Sequence, residues 1–183
     1  QLLKNKLIFF MADKLIIDWK EYNLIVEKLA IQIYKSGYKP NLLIGIMRGG
    51  APIIDVLSRV FKLKCAYLAV ESYSGENIED QQGELIFSRE LSSTVQDMSG
   101  NILLCDDLSD TGVTLNKSID WLKKYPPLKG KIKSIKTAVL WKKADSTFEP
   151  DFCAQKLKDN PWIVQPFEKY EEIRVEDLKK NQN

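Results

Sequence analysis

The chain's 183 residues suffice for one domain with a sheet covered on both faces. Hydrophobic residues make up 44%, charged residues 28%, and the net charge is +2, so nothing in the composition calls for nucleic acid or a membrane surface as a partner. Histidine is absent, which removes serine-triad and histidine–metal enzymes and leaves carboxylates, lysine or tyrosine for proton transfer.

The opening apolar run, Leu7–Phe10, is too short for a signal h-region and no small-residue cleavage site follows it. Residues 1–13 are therefore expected to be an N-terminal extension, with Met11 a candidate natural start. Asp18 and Glu21 have capping-box spacing, and Tyr22, Ile25, Val26, Leu29 and Ile33 then predict a helix that stops at Gly37. Leu42–Ile46 reads as a buried strand, Met47-Arg48-Gly49-Gly50 as a tight loop, and Pro52 suits the first turn of a second helix running to Phe61. A strand is expected over Cys65–Val70. Residues 74–100 are polar and lack a sustained period, the mark of a long functional loop such as a lid. A strand at Ile102–Cys105, a helix carrying Leu115, Ile119 and Leu122 on one face, and a strand at Ile135–Trp141 follow. A small hood (about 143–167) and a charged helical tail (169–183) complete the chain. Alternating strands and helices predict an α/β fold with a mostly parallel sheet, whose ligand sits at the strands' carboxyl ends near the switch point. The three cysteines, Cys65, Cys105 and Cys153, have no CxxC or Cys/His spacing, so a reducing cytoplasm is the expected compartment. No stretch is long enough for membrane insertion.

The most informative segment is Asn101–Leu115. An apolar strand runs into three acids, Asp106, Asp107 and Asp110, separated by Leu108 and Ser109, and then into Thr111-Gly112-Val113-Thr114 at a helix start. Backbone N–H groups of such a loop can wrap a phosphate with help from the helix dipole. The acids would repel that phosphate unless they serve sugar hydroxyls, a cation or a proton. Helix capping would account for one acid but not for three. A ligand with a phosphate beside a polyhydroxyl body satisfies both halves, which describes a sugar phosphate. Arg48-Gly49-Gly50, after an earlier strand, offers a second close approach for an anion with a guanidinium beside it.

Segment 101–115 resembles the phosphoribosyl-pyrophosphate motif of type I phosphoribosyltransferases, in which a strand leads through paired acids to Thr-Gly-x-Thr. The resemblance extends over Lys14–Glu168. It implies that residues 106–114 hold the ribose phosphate and that Asp106 and Asp107 meet the ribose hydroxyls or Mg²⁺. By the same resemblance Met47–Gly50 is a pyrophosphate loop with a cis Met47–Arg48 peptide, and Ser72-Tyr73 opens a flexible lid. Pro161-Trp162-Ile163-Val164-Gln165-Pro166-Phe167-Glu168 resembles the purine hood of bacterial xanthine–guanine phosphoribosyltransferases, except that Val164 stands where that enzyme carries an acid. Trp162 would stack on the base and the Ile163 main chain would meet its far edge. Lys142 would donate to the 6-oxo group, with Lys143 the neighbour that could take its place. The implied reaction moves phosphoribosyl from phosphoribosyl pyrophosphate to xanthine, guanine or hypoxanthine, giving a nucleoside monophosphate in purine salvage. Asp110 would be the general base, Mg²⁺ the cofactor, and the protein a homodimer or homotetramer. The rival is a regulator of the same fold that senses nucleotides without turnover.

Overall fold

The computed structural model describes residues 14–72 and 84–180; the expected N-terminal extension and Tyr73 of the lid lie outside them. Helix α1 (Trp19–Lys35) begins where the Glu21 backbone N–H donates to Asp18 Oδ1 at 2.7 Å, and its apolar stripe from Tyr22 to Ile33 is buried. Strand β2 (Leu42–Met47) leads into α2 (Gly50–Phe61), β3 (Cys65–Ser72), β6 (Gly100–Ser109), α3 (Val113–Lys124), β7 (Ile132–Lys142) and β8 (Phe152–Lys156). The parallel core has the order β3-β2-β6-β7-β8, with β4 (Leu85–Phe87) and β5 (Ser92–Ser93) antiparallel to β3. Helices α1 and α2 cover one face through Leu29, Ile53 and Leu57. Helix α3 covers the other through Leu115 and Leu122. This is the expected α/β architecture of mostly parallel strands between helical layers.

Three boundaries differ from expectation. Strand β6 does not end at Cys105. It stays in register with β7 through Asp106↔Val139, Leu108↔Trp141 and Ser109↔Lys142, because ladder hydrogen bonds are indifferent to the acidic side chains. The segment between residues 84 and 100 carries the short strands β4 and β5 rather than continuous loop. Strand β8 joins the main sheet beside β7, so the hood is reduced to β9 (Trp162–Val164), which pairs in parallel with β1 (Lys14–Ile16). The tail forms the short helices α4 (Lys169–Glu172) and α5 (Val175–Lys180). No helix among the described residues is long and apolar enough to cross a membrane.

The chain leaves β2 for β3 on one side and reaches β6 on the other. The loops after β2 and β6 therefore flank the switch point, where open parallel sheets bind ligands.

Candidate active site

The two helices that start at this switch point have glycine at the N-cap and so no capping side chain there, although the Val113 N–H at the start of α3 donates to Thr111 Oγ1 at 3.3 Å. Gly49 precedes α2 and Gly112 precedes α3, whereas α1, remote from the switch, is capped by Asp18. First-turn N–H groups left open behind a glycine N-cap, at the positive ends of two helix dipoles, suit an anion. Gly112 sits at φ +90°, and a Cβ there would collide with Phe148, so the loop needs glycine on both counts. A Cβ on Gly49 would strike the Asp107 carboxylate, which places the two loops in direct contact across the cleft. The Met47–Arg48 peptide is cis.

Adjacent strand residues point to opposite faces, and the paired acids obey that rule. Asp107 faces the cleft beside Gly49, where it accepts a hydrogen bond from the Gln165 side-chain amide. Asp106 is turned inward, 8% exposed, and accepts from the Asp107 backbone N–H at 3.0 Å. Burial, reinforced by the charge of Asp107, holds the Asp106 carboxyl well above the usual carboxylate range. The expectation that both acids serve the ribose or a cation thus meets a structure that presents Asp107 to the cleft and buries Asp106.

Beyond β6 the segment after β7 folds back over the Thr-Gly-x-Thr loop. Lys143 N–H donates to Ser109 O at 3.1 Å, the buried Ser109 and Ser146 hydroxyls lie 2.8 Å apart, and Thr147 donates to Thr111 O through both N–H (3.2 Å) and Oγ1 (3.1 Å). In this turn the Lys143 side chain, 9% exposed, brings Nζ to 3.3 Å from Asp110 Oδ1. Lys142 points elsewhere, with Nζ 3.6 Å from Glu149. The lysine beside Asp110 is therefore Lys143, while Lys142, expected to meet the 6-oxo group, pairs with Glu149.

A cleft of about 940 Å³, within the usual range for small-ligand sites, is lined by Arg48, Gly49, Asp107, Trp162, Gln165 and Glu171 among others. Trp162 presents its ring at 62% exposure, with its indole N–H 3.3 Å from Glu168, while Ile163 buries its side chain in the core and anchors the hood. Ser72 ends β3 at the edge of the described residues. Arg48 pairs at 2.5 Å with Glu171 of α4, a partner that the sequence motifs did not point to.

A family model described as the phosphoribosyl transferase domain matches residues 16–172. The chain belongs to this family. Among solved structures, a purine phosphoribosyltransferase from Pyrococcus horikoshii is 27% identical, with a TM-score of 0.68 over 89% of this chain and 97% of that one. A xanthine-guanine-hypoxanthine phosphoribosyltransferase from Helicobacter pylori is 23% identical, with a TM-score of 0.68 over 91% and 99% of the two chains. A hypothetical protein from Neisseria gonorrhoeae with bound ppGpp shares 18% identity and a TM-score of 0.66 over 93% and 94%. No curated protein matches the sequence.

For a phosphoribosyl transferase domain the donor set of the cleft is informative. No group of three or more metal-ligating side chains occurs among the described residues. Mg²⁺ keeps its waters and binds through one or two carboxylates plus substrate phosphates, so a lone cleft-facing Asp107 beside the Arg48-Gly49-Gly50 loop suits it.

Proposed function

We propose that this domain is a purine-salvage phosphoribosyltransferase acting on a 6-oxopurine (guanine, xanthine or hypoxanthine), with phosphoribosyl pyrophosphate as donor. The observation that carries the reading is the Asp110–Lys143 pair, an acceptor and a donor 3.3 Å apart beside the phosphate loop. A 6-oxopurine attacking through N9 presents N7–H and O6 side by side on one edge, a donor and an acceptor in matching order. Lys143 meets O6 from a nearly dry position, where a charge-assisted hydrogen bond is strong. Lys143 thus takes the role the sequence had suggested for Lys142.

The start of α3, with Thr111–Thr114, holds the 5′-phosphate. The start of α2, with Met47–Gly50, holds the pyrophosphate, and Asp107 takes the ribose hydroxyls directly or through Mg²⁺. When bound, Mg²⁺ neutralises charge on the departing pyrophosphate. As the bond from the sugar carbon to pyrophosphate breaks, N9 forms its bond to that carbon and Asp110 accepts the N7 proton. Trp162 supplies an aromatic face for the base, and the Ile163 main chain lies at the base's far edge.

The test is nucleotide formation from phosphoribosyl pyrophosphate with guanine, xanthine, hypoxanthine and adenine. Turnover of 6-oxopurines and not adenine is expected. Lys143→Met should raise the KM for 6-oxopurines and relax the discrimination against adenine, whereas Lys142→Met should do neither. An unchanged guanine KM in Lys143→Met would remove Lys143 from the base site. Donor binding without turnover would turn the reading toward a nucleotide-sensing regulator.

A further inference from the structure

Two of the buried side-chain polar atoms that lack a partner among the described residues gather behind the cleft-facing acid. Gln165 is 7% exposed, and its Oε1 has no hydrogen-bond partner. Tyr22 Oη is likewise buried and unpartnered, close enough to Asp107 that the carboxylate's charge adds to burial in pushing the phenol's pKa up. Buried polar atoms are almost always satisfied, so spare capacity on a rigid side chain beside a ligand site calls for an explanation.

Gln165 is rigid for identifiable reasons. It follows β9, whose Val164 carbonyl accepts from Ile17 N–H at 2.9 Å, and Ile163 and Phe167 on either side are packed into the core. Phe167 meets Tyr22 edge-on with ring centroids 5.9 Å apart. One end of the carboxamide is used: its N–H holds the Asp107 carboxylate, which in turn lies against Gly49. The other end, an acceptor oxygen, is unspent. An acceptor fixed next to a carboxylate wants an O–H donor, and the donor substrate brings two kinds, ribose hydroxyls and waters carried on Mg²⁺.

We propose that Gln165 is a positioning residue for phosphoribosyl pyrophosphate, fixing Asp107 against the pyrophosphate loop through its amide N–H while its carboxamide oxygen accepts a hydrogen bond from an O–H group that the substrate or its Mg²⁺ brings. The inference rests on the phosphoribosyltransferase reading above. Losing a partner that orients a ligating carboxylate typically costs about 10–100-fold in metal affinity or activity.

The experiment is calorimetric titration of phosphoribosyl pyrophosphate with Mg²⁺ into wild type and Gln165→Met, which keeps the shape and removes both hydrogen-bonding ends. The donor Kd should rise about 10–100-fold while the KM for the purine and the melting temperature hold. In an Asp107→Asn background the same change should add little, because Gln165 acts through that carboxylate. If the Gln165→Met chain fails to fold, Gln165→Asn, which keeps the polarity but cannot reach Asp107, is read in the same way. A penalty that vanishes on chelating Mg²⁺ assigns the oxygen to metal-bound water, and one that persists assigns it to a ribose hydroxyl. Equal donor affinity in wild type and variant, or strictly additive effects in the cycle, overturns the proposal alone. A wild type that binds no donor overturns the functional reading and this inference with it.

Discussion

Where β6 ends, the Lys143–Phe148 segment grips the phosphate loop through four hydrogen bonds or hydroxyl contacts, and Phe148 fills the space over Gly112. Where β2 ends, Met47 is exposed and the Arg48 side chain is 80% exposed, held by one ion pair to helix α4. Both loops lead into helix starts with a glycine N-cap, but one is clamped by a neighbouring segment while the other leaves the Met47 and Arg48 side chains exposed. The difference fits what each anion does in the proposed reaction. The 5′-phosphate stays on the ribose throughout the bond exchange, so a rigid nest keeps the reacting carbon aligned. Pyrophosphate separates from the ribose, and a loop whose Arg48 side chain is exposed and held by one ion pair grips it with fewer fixed contacts.

If the closed end carries the chemistry, its most damaging change is Asp110→Asn. This variant should lose about 10²–10⁴-fold in kcat, the usual contribution of a positioned general base, while calorimetry still shows donor binding. A near-normal kcat would leave Asp110 an ion-pair partner of Lys143 and nothing more. Next in size is Gly112→Ala. Holding a residue with a Cβ at φ +90° costs on the order of 1–3 kcal/mol, so the melting temperature should fall by roughly 2–12 °C for a chain of this length. The collision with Phe148 should weaken donor binding as well. An unchanged melting temperature would mean that this end is less rigidly built than its hydrogen bonds imply.

How far the sequence announced this asymmetry depends on the kind of signal. The acid cluster and Thr-Gly-x-Thr stand out because charged and small residues are unusual where a buried strand meets a helix. What could not be read was which acid faces the ligand. In a parallel strand buried on both faces, alternation leaves no apolar–polar pattern, so Asp106 and Asp107 look equivalent until the pleat is seen. The same blindness hides which of two adjacent lysines faces Asp110, since Ala138–Trp141 is uniformly apolar and gives no phase to separate Lys142 from Lys143. Strands β4 and β5 are too short to show any period, and the short β8 lies within the stretch that the sequence groups with the hood. Gln165 stands inside the hood motif, but an uncharged side chain gives no sequence cue to a partner 58 positions away.

The smallest effect tests the open end. Arg48 and Glu171 meet at 2.5 Å with side chains 80% and 55% exposed, and exposed ion pairs contribute only about 0–1 kcal/mol. Glu171 therefore holds the guanidinium that the proposed reaction assigns to pyrophosphate, and a donor bound there would displace it. Glu171→Gln removes the competitor's charge without touching the phosphate loop, so the donor KM should fall by at most about 5-fold, the factor that 1 kcal/mol allows. The gain should shrink as salt rises, since screening already weakens the pair in the unmodified chain. Arg48→Ala should raise the donor KM and abolish the effect of Glu171→Gln, because the carboxylate then has no cation to occupy. If Glu171→Gln still lowered the KM in that background, α4 would be obstructing the cleft by its bulk, and the open end would be covered rather than merely paired.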